Sequence, residues 1–204
     1  GSYNTGLGRY ALALNTTASN NTAVGYQAAY SNTTGTQNHA FGYRALYSTT
    51  TGNYNTAVGY ASNFSNTTGQ QNTSVGKDTL GTNTTGSYNA ILGNESMRNN
   101  TTGSNNTAVG HTALYSNTTA SNNTAVGYQA GYSNTTGVNL TAVGYTAGYA
   151  STGNGNSMLG AYAGRLTTSG SSNSFVGQSA GYNTTTGSSN VALGTDSLLN
   201  NTTA

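Results

Sequence analysis

Residues 21–37 read Asn-Thr-Ala-Val-Gly-Tyr-Gln-Ala-Ala-Tyr-Ser-Asn-Thr-Thr-Gly-Thr-Gln, and the rest of the chain varies this stretch. Its first five residues recur unchanged at 55–59, 106–110 and 123–127. The Gly closing each copy falls at 8, 25, 42, 59, 76, 93, 110, 127, 144, 160, 177 and 194. The interval is 17 residues, shortened once to 16 between Gly144 and Gly160. Twelve copies therefore fill residues 1–204 as one uninterrupted array, with no linker between them. Gly1 and Ala204 hold the same place in the repeat, so the array is cut out of phase and reads as a segment of a longer fibre.

Each copy is numbered here from its Asn. Position 1 is Asn in eleven copies, with Leu140 the exception, and position 5 is always Gly. Position 8 is small, and position 15 is Gly or Ala. Seventeen residues rich in Asn, Thr, Gly and Tyr are too few for a helical repeat and poor helix formers. They suit one coil of a β-solenoid. The predicted fold is all-β: a parallel β-solenoid (β-roll) of twelve 17-residue coils with two short strands per coil, at positions 1–4 and 6–10. Asn-Thr-Thr-Gly at positions 12–15 is the expected tight turn, with Gly supplying a positive φ. Coils stacked at the strand spacing of about 4.8 Å make a rod of roughly 58 Å.

Composition fits stacking better than a globular core. Charged residues make up 4% of the chain, against about a quarter in an ordinary domain. Leu, Val, Phe and Ile together number 26 of 204 residues. In a solenoid, stability comes from each coil's contact with its neighbours, so a thin core suffices. Position 4 is large and apolar in every copy and is the expected core ladder, following Leu7: Val24, Phe41, Val58, Val75, Leu92, Val109, Val126, Val143, Leu159, Val176 and Leu193. Ala at position 8 completes that core, and Asn at position 1 bonds amide to amide along the axis. The opposite face, carrying positions 3 and 5, then needs a partner subunit to cover it. All eight formal charges fall at positions 6, 7 and 10, where solvent is expected.

Asn21-Thr22-Ala23-Val24-Gly25-Tyr26-Gln27-Ala28 resembles the head repeat of trimeric autotransporter adhesins, approximately S-V-A-I-G-x-x-S, and similar repeats of bacteriophage tail fibres. The match lies at Ala23, Val24, Gly25 and the small Ala28, and it recurs along the entire chain. The resemblance implies a left-handed parallel β-roll that associates as a trimer. The present coil is longer than that family's usual unit, and its turn is Thr-rich.

Catalysis is not expected. His39 and His111 are separated by about four coils, roughly 20 Å. Asp78 and Glu95 stack at position 7 as an isolated carboxylate pair on a solvated face. The chain has no Cys, so thiolate metal sites and disulfides are excluded. No metal or other cofactor is expected. Five basic residues spread over twelve coils form no nucleic-acid patch, and no apolar run is long enough for membrane insertion.

Two residue classes are candidates for contacts. Tyr26, Tyr30, Tyr43, Tyr47, Tyr60, Tyr128, Tyr132, Tyr145 and Tyr149, at positions 6 and 10, form expected exposed ladders suited to glycans, to subunit contacts, or to shielding the thin core. Asn15, Asn32, Asn66, Asn83, Asn100, Asn117, Asn134 and Asn201 head Asn-Thr-Thr sequons on an expected outer turn and are candidate glycosylation sites, on Asn or the adjacent Thr. The leading expectation is a structural fibre outside the cell, or on a cell or virion surface, whose partner is itself as a homo-oligomer, trimer or filament. The rival is a glycan-recognising adhesin head or tail-fibre module. A curli-like amyloid and an ice-binding solenoid are minor alternatives; for the latter, adjacent Thr at positions 13 and 14 point to opposite faces.

Overall fold

The computed structural model describes residues 1–203, so Ala204, the last position-15 residue, lies outside the described residues. The fold is a parallel β-solenoid. Twelve three-residue strands form one sheet in chain order, β1 (Thr5–Leu7), β2 (Thr22–Val24), β3 (His39–Phe41) and so on to β12 (Val191–Leu193). Neighbouring strands pair position for position, for example Thr22 with His39, Ala23 with Ala40 and Val24 with Phe41. The register continues through the 16-residue coil, where Ser157 pairs with Thr141.

Each coil has one strand, where two were expected. Positions 7 and 9 adopt left-handed backbone, as at Gln27 (φ 54°) and Ala29 (φ 48°) or Arg44 (φ 54°) and Leu46 (φ 53°). Extended strands need strongly negative φ, so this segment is a run of turns. It still bonds between coils: the Gln27 N–H donates back to the Arg9 carbonyl and the Ala29 N–H forward to the Ala45 carbonyl. A left-handed residue other than Gly costs about 1–2 kcal/mol, a cost offset here by a backbone ladder that would otherwise be unmade. The positive φ expected at position 15 occurs instead at positions 5, 7, 9 and 17. Position 5 requires Gly twice over. Its φ is near 135° (Gly25 134°, Gly42 138°), and an added Cβ would strike the backbone of the Gly in the next coil.

The core ladder also differs from expectation. Ala23, Ala40, Ala57, Ala108, Ala125 and Ala142 at position 3 are fully buried. Position 4 points outward: Phe41 is 40% exposed, Leu92 51%, Val58, Leu159, Val176 and Leu193 are also exposed, and Val24, Val75, Val109, Val126 and Val143 are half-buried. Alternation puts only one of the two on the inside, and the interior is too narrow for a Val at every level. Position 3 faces positions 8 and 9 across the coil, and the three share the space. Ala40 and Ala108 face Leu46 and Leu114, whereas Met158 and Phe175 face Gly164 and Gly181. Ala125 and Ala142 face Gly131 and Gly148, beside which the Leu140 side chain lies, and Ile91 with Met97 places two large side chains at one level. A Cβ on Gly181 would lie 2.5 Å from the Phe175 ring, and one on Gly164 would lie 2.6 Å from the Met158 sulfur.

This complementarity is testable as a double-mutant cycle. Phe175→Ala should cost about 3–5 kcal/mol by opening a cavity, and Gly181→Leu about 1–3 kcal/mol by overpacking. A non-Gly residue at φ 62° adds about 1–2 kcal/mol to the latter, which the double variant does not return. The double variant restores the Ala–Leu pairing of Ala40 with Leu46 and should recover most of the loss, because the two sites share one cavity. Urea unfolding of the four proteins measures the coupling; additive losses would contradict it.

Candidate functional site

The expected glycosylation sites are inside the coil. Asn32, Asn66, Asn83, Asn100, Asn117 and Asn134 are fully buried, while Asn15 and Asn201 in the end coils are half-buried. The position-12 amide turns inward and donates to the position-15 carbonyl of its own coil, as from Asn66 to Gly69 (2.9 Å) and Asn83 to Gly86 (2.9 Å). Asn83, Asn100 and Asn117 donate in addition to the Oδ1 of Asn66, Asn83 and Asn100, at 2.8–2.9 Å. The outer corner is formed by the following Thr residues, and position 14 is exposed, as at Thr34, Thr68, Thr85 and Thr102.

The Asn ladder at position 1 forms as expected. Asn38, Asn55, Asn72 and Asn89 are buried. The Asn72 amide donates to Asn55 Oδ1 (3.2 Å) and the Asn89 amide to Asn72 Oδ1 (3.0 Å). Each Oδ1 also accepts the backbone N–H of the next Asn, as from Asn72 to Asn55 at 3.1 Å. Leu140 retains the backbone bond to Asn123 Oδ1 (2.8 Å) while its side chain lies near Gly131 and Gly148.

Outside, the aromatic residues form the expected ladders. At position 6, Tyr26, Tyr43 and Tyr60 stack at 5.0–5.4 Å, and His111, Tyr128 and Tyr145 at 5.2–5.6 Å. At position 10, Tyr30, Tyr47 and Phe64 stack at 5.1–5.2 Å, as do Tyr115, Tyr132 and Tyr149. Position-6 rings are exposed and position-10 rings half-buried. Rings inside a ladder have neighbours on both faces, so they offer edges and hydroxyls to solvent. Arg165 extends one ladder: its guanidinium lies 5.6 Å from the Tyr149 ring and 5.8 Å from the Tyr182 ring, and Nη1 donates to the Tyr182 hydroxyl at 2.9 Å.

The first position-10 ladder ends at Gly81. There a cleft of about 310 Å³ opens, bordered by Arg44, Tyr60, Phe64, Asp78 and Arg98. Sequence reasoning missed it, although a Gly in a column of Tyr, Phe and Arg was its signal. Asp78 lies 3.7 Å from Lys77, and Arg98 Nη1 donates to the Tyr115 hydroxyl at 3.3 Å. That bond raises the Arg98 pKa above its ordinary value. Burial raises the Tyr132 phenol, helped by the neighbouring Tyr115 and Tyr149. Among the described residues, no three His, Asp or Glu gather into a metal-binding group, and no helix is long and apolar enough to cross a membrane.

Two measurements follow from these placements. In a host that N-glycosylates secreted chains, peptides carrying Asn66, Asn83, Asn100 and Asn117 should keep unmodified mass in the folded protein, because Nδ2 is buried and engaged. Tyr132 binds its proton more tightly in the folded state than in the unfolded chain. That contribution to stability is complete at neutral pH and is lost as alkaline pH rises through the raised phenol value. An absorbance titration should show a late phenol step that Tyr132→Phe removes.

Comparison with protein-family models, curated proteins and solved structures finds no match to this chain.

Proposed function

We propose that this chain is the structural shaft of a self-associating fibre outside the cell or on a cell or virion surface. The observation that carries the reading is the outward ladder at position 4. From Leu7 to Leu193 every coil presents Val, Leu or Phe on the sheet's outer face, flanked at position 2 mostly by Thr or Ser and carrying no formal charge. A continuous apolar stripe of this length is unusual on a monomeric surface and marks an interaction face. Its period is the strand spacing, so the surface that matches it at every level is the same ladder on another copy. Copies packed along this stripe exclude water from it; the closed trimer implied by the adhesin-head resemblance is one such arrangement. In this reading the face that seeks a partner carries position 4, in place of positions 3 and 5.

A scaffolding role agrees with the rest of the molecule. Most buried Asn amides bond within the rod, the charges are few, and the exposed Thr at position 14 lies where an O-linked sugar would fit without disturbing the core.

The test uses a double substitution on the stripe. Val109→Lys with Val126→Lys places two charges on outward side chains, so the circular-dichroism spectrum should be unchanged. Sedimentation velocity should show wild-type oligomers or filaments and a monomeric variant. A wild-type chain that is monomeric across the accessible concentration range would overturn the proposal.

A further inference from the structure

The Tyr30–Tyr47–Phe64 ladder at position 10 ends at Gly81, where the outer face of the Phe64 ring is left open by a missing member. Phe64 stacks on Tyr47 at 5.1 Å on one side. On the other side the next position 10 is Gly81, which has no side chain. Adjacent rings of this ladder lie 5.1–5.2 Å apart. One missing member therefore leaves about 10 Å between the flanking coils, two strand spacings, or room for a single ring. Arg98, the next member, does not fill the space, because its guanidinium is bonded in the opposite direction to Tyr115.

The rim of this cleft differs from the rest of the surface. Five of the eight formal charges of the chain, Arg44, Lys77, Asp78, Glu95 and Arg98, fall in the four coils around it. Arg44, Asp78 and Arg98 line it directly. Asp78 offers carboxylate oxygens as acceptors, and Arg44 offers as donors the guanidinium N–H groups not bonded to Gln27. Arg98 contributes its aliphatic stem, whose Cγ lies 3.6 Å from where a Cβ on Gly81 would sit. An apolar floor with a few convergent donors and acceptors at the edge is the usual composition of a small-molecule site.

We propose that this cleft binds one pyranose unit of a saccharide. The C–H face of the sugar lies on the electron-rich face of Phe64. Its hydroxyls donate to Asp78 and accept from the guanidinium N–H groups of Arg44 that Gln27 leaves free. Lys77 lies 3.7 Å from Asp78 Oδ2, and a purely aromatic guest would satisfy the floor and leave the remaining carboxylate lone pairs without a donor. A hydroxyl-bearing ring satisfies both. The coil 10 arrangement shows how a planar hydrogen-bonding group is held in this column, since the Arg165 guanidinium sits between Tyr149 and Tyr182. The proposal does not depend on self-association, because the position-6 and position-10 columns lie outside the position-4 stripe.

Saturation-transfer difference NMR tests it on the intact chain in any oligomeric state. The probes are the methyl glycosides of glucose, galactose, mannose and N-acetylglucosamine, with p-cresol as a flat aromatic control. Ring-proton transfer to at least one glycoside is expected, and Asp78→Asn should weaken it about tenfold. Gly81→Tyr fills the vacancy with the residue common in this column. Gly81 has no left-handed φ, so that variant should fold as wild type does, with an unchanged circular-dichroism spectrum and no glycoside signal. Tyr149→Ala, in the other ladder, should bind as wild type does. The proposal is overturned if no glycoside gives a signal, if p-cresol alone does, or if the signal survives Gly81→Tyr.

Discussion

The structure depends on the position-15 carbonyl. In coils with Asn at position 12 it points inward and accepts two buried amides of that same coil, one from position 12 and one from position 1. Gly69 accepts from Asn66 and Asn55, Gly86 from Asn83 and Asn72, and Gly103 from Asn100 and Asn89, all at 2.9–3.0 Å. A carbonyl has two lone pairs, and both are used. Burying an unpaired amide costs about 1–3 kcal/mol, so this arrangement lets polar side chains occupy an interior that Leu and Val would fill elsewhere. The bond from position 1 ties the start of a coil to its far corner, while the Asn-to-Asn bonds between successive coils, such as Asn72 to Asn55 Oδ1, fix the axial register together with the sheet. The apolar part of the core is correspondingly small, as where Ala40 lies opposite Leu46 or Phe175 opposite Gly181.

Asn63 shows the same rule by its breach. It takes position 9, where other coils carry Leu, Met, Ala or Gly, and both atoms of its buried amide lack a hydrogen-bond partner among the described residues. Nothing in the structure explains its presence. A chain stabilised by nearest-neighbour terms can carry one such residue, because the cost stays within its own coil and the two beside it.

The repeat length, parallel stacking, Asn ladder and aromatic columns were legible in the sequence, because identical residues at a constant interval must superpose in any stacked coil. What lay within one coil was less so. Val24 was expected inside and Ala23 outside because Val is the larger hydrophobe, but the enclosed space is set by the short path of 17 residues around one strand, and only Ala fits at most levels. The left-handed positions were hidden because Tyr, Gln, Arg and Leu, which occupy them, have no local preference for that conformation. Asn83 was read as an exposed turn residue since Asn favours turns; inward bonding to Gly86 reversed its direction. The cleft lay in a departure from the repeat, at Gly81, and periodicity reports only what recurs.

Coil 9 has one residue fewer than the others, and the loss falls at its outer Thr corner, between Thr152 and Gly153. The strands on either side keep their pairing, and the Thr152 hydroxyl at the shortened corner still donates to the Thr168 carbonyl of the next coil at 3.0 Å. The corner can therefore absorb single-residue changes that the interior cannot. Whole coils are freer still, since each touches only the one above and the one below. Gene duplication or unequal crossing-over can then lengthen or shorten the rod in increments of one coil, about 4.8 Å each, without redesigning a single contact. Reach becomes a heritable quantity, adjustable like the number of links in a chain.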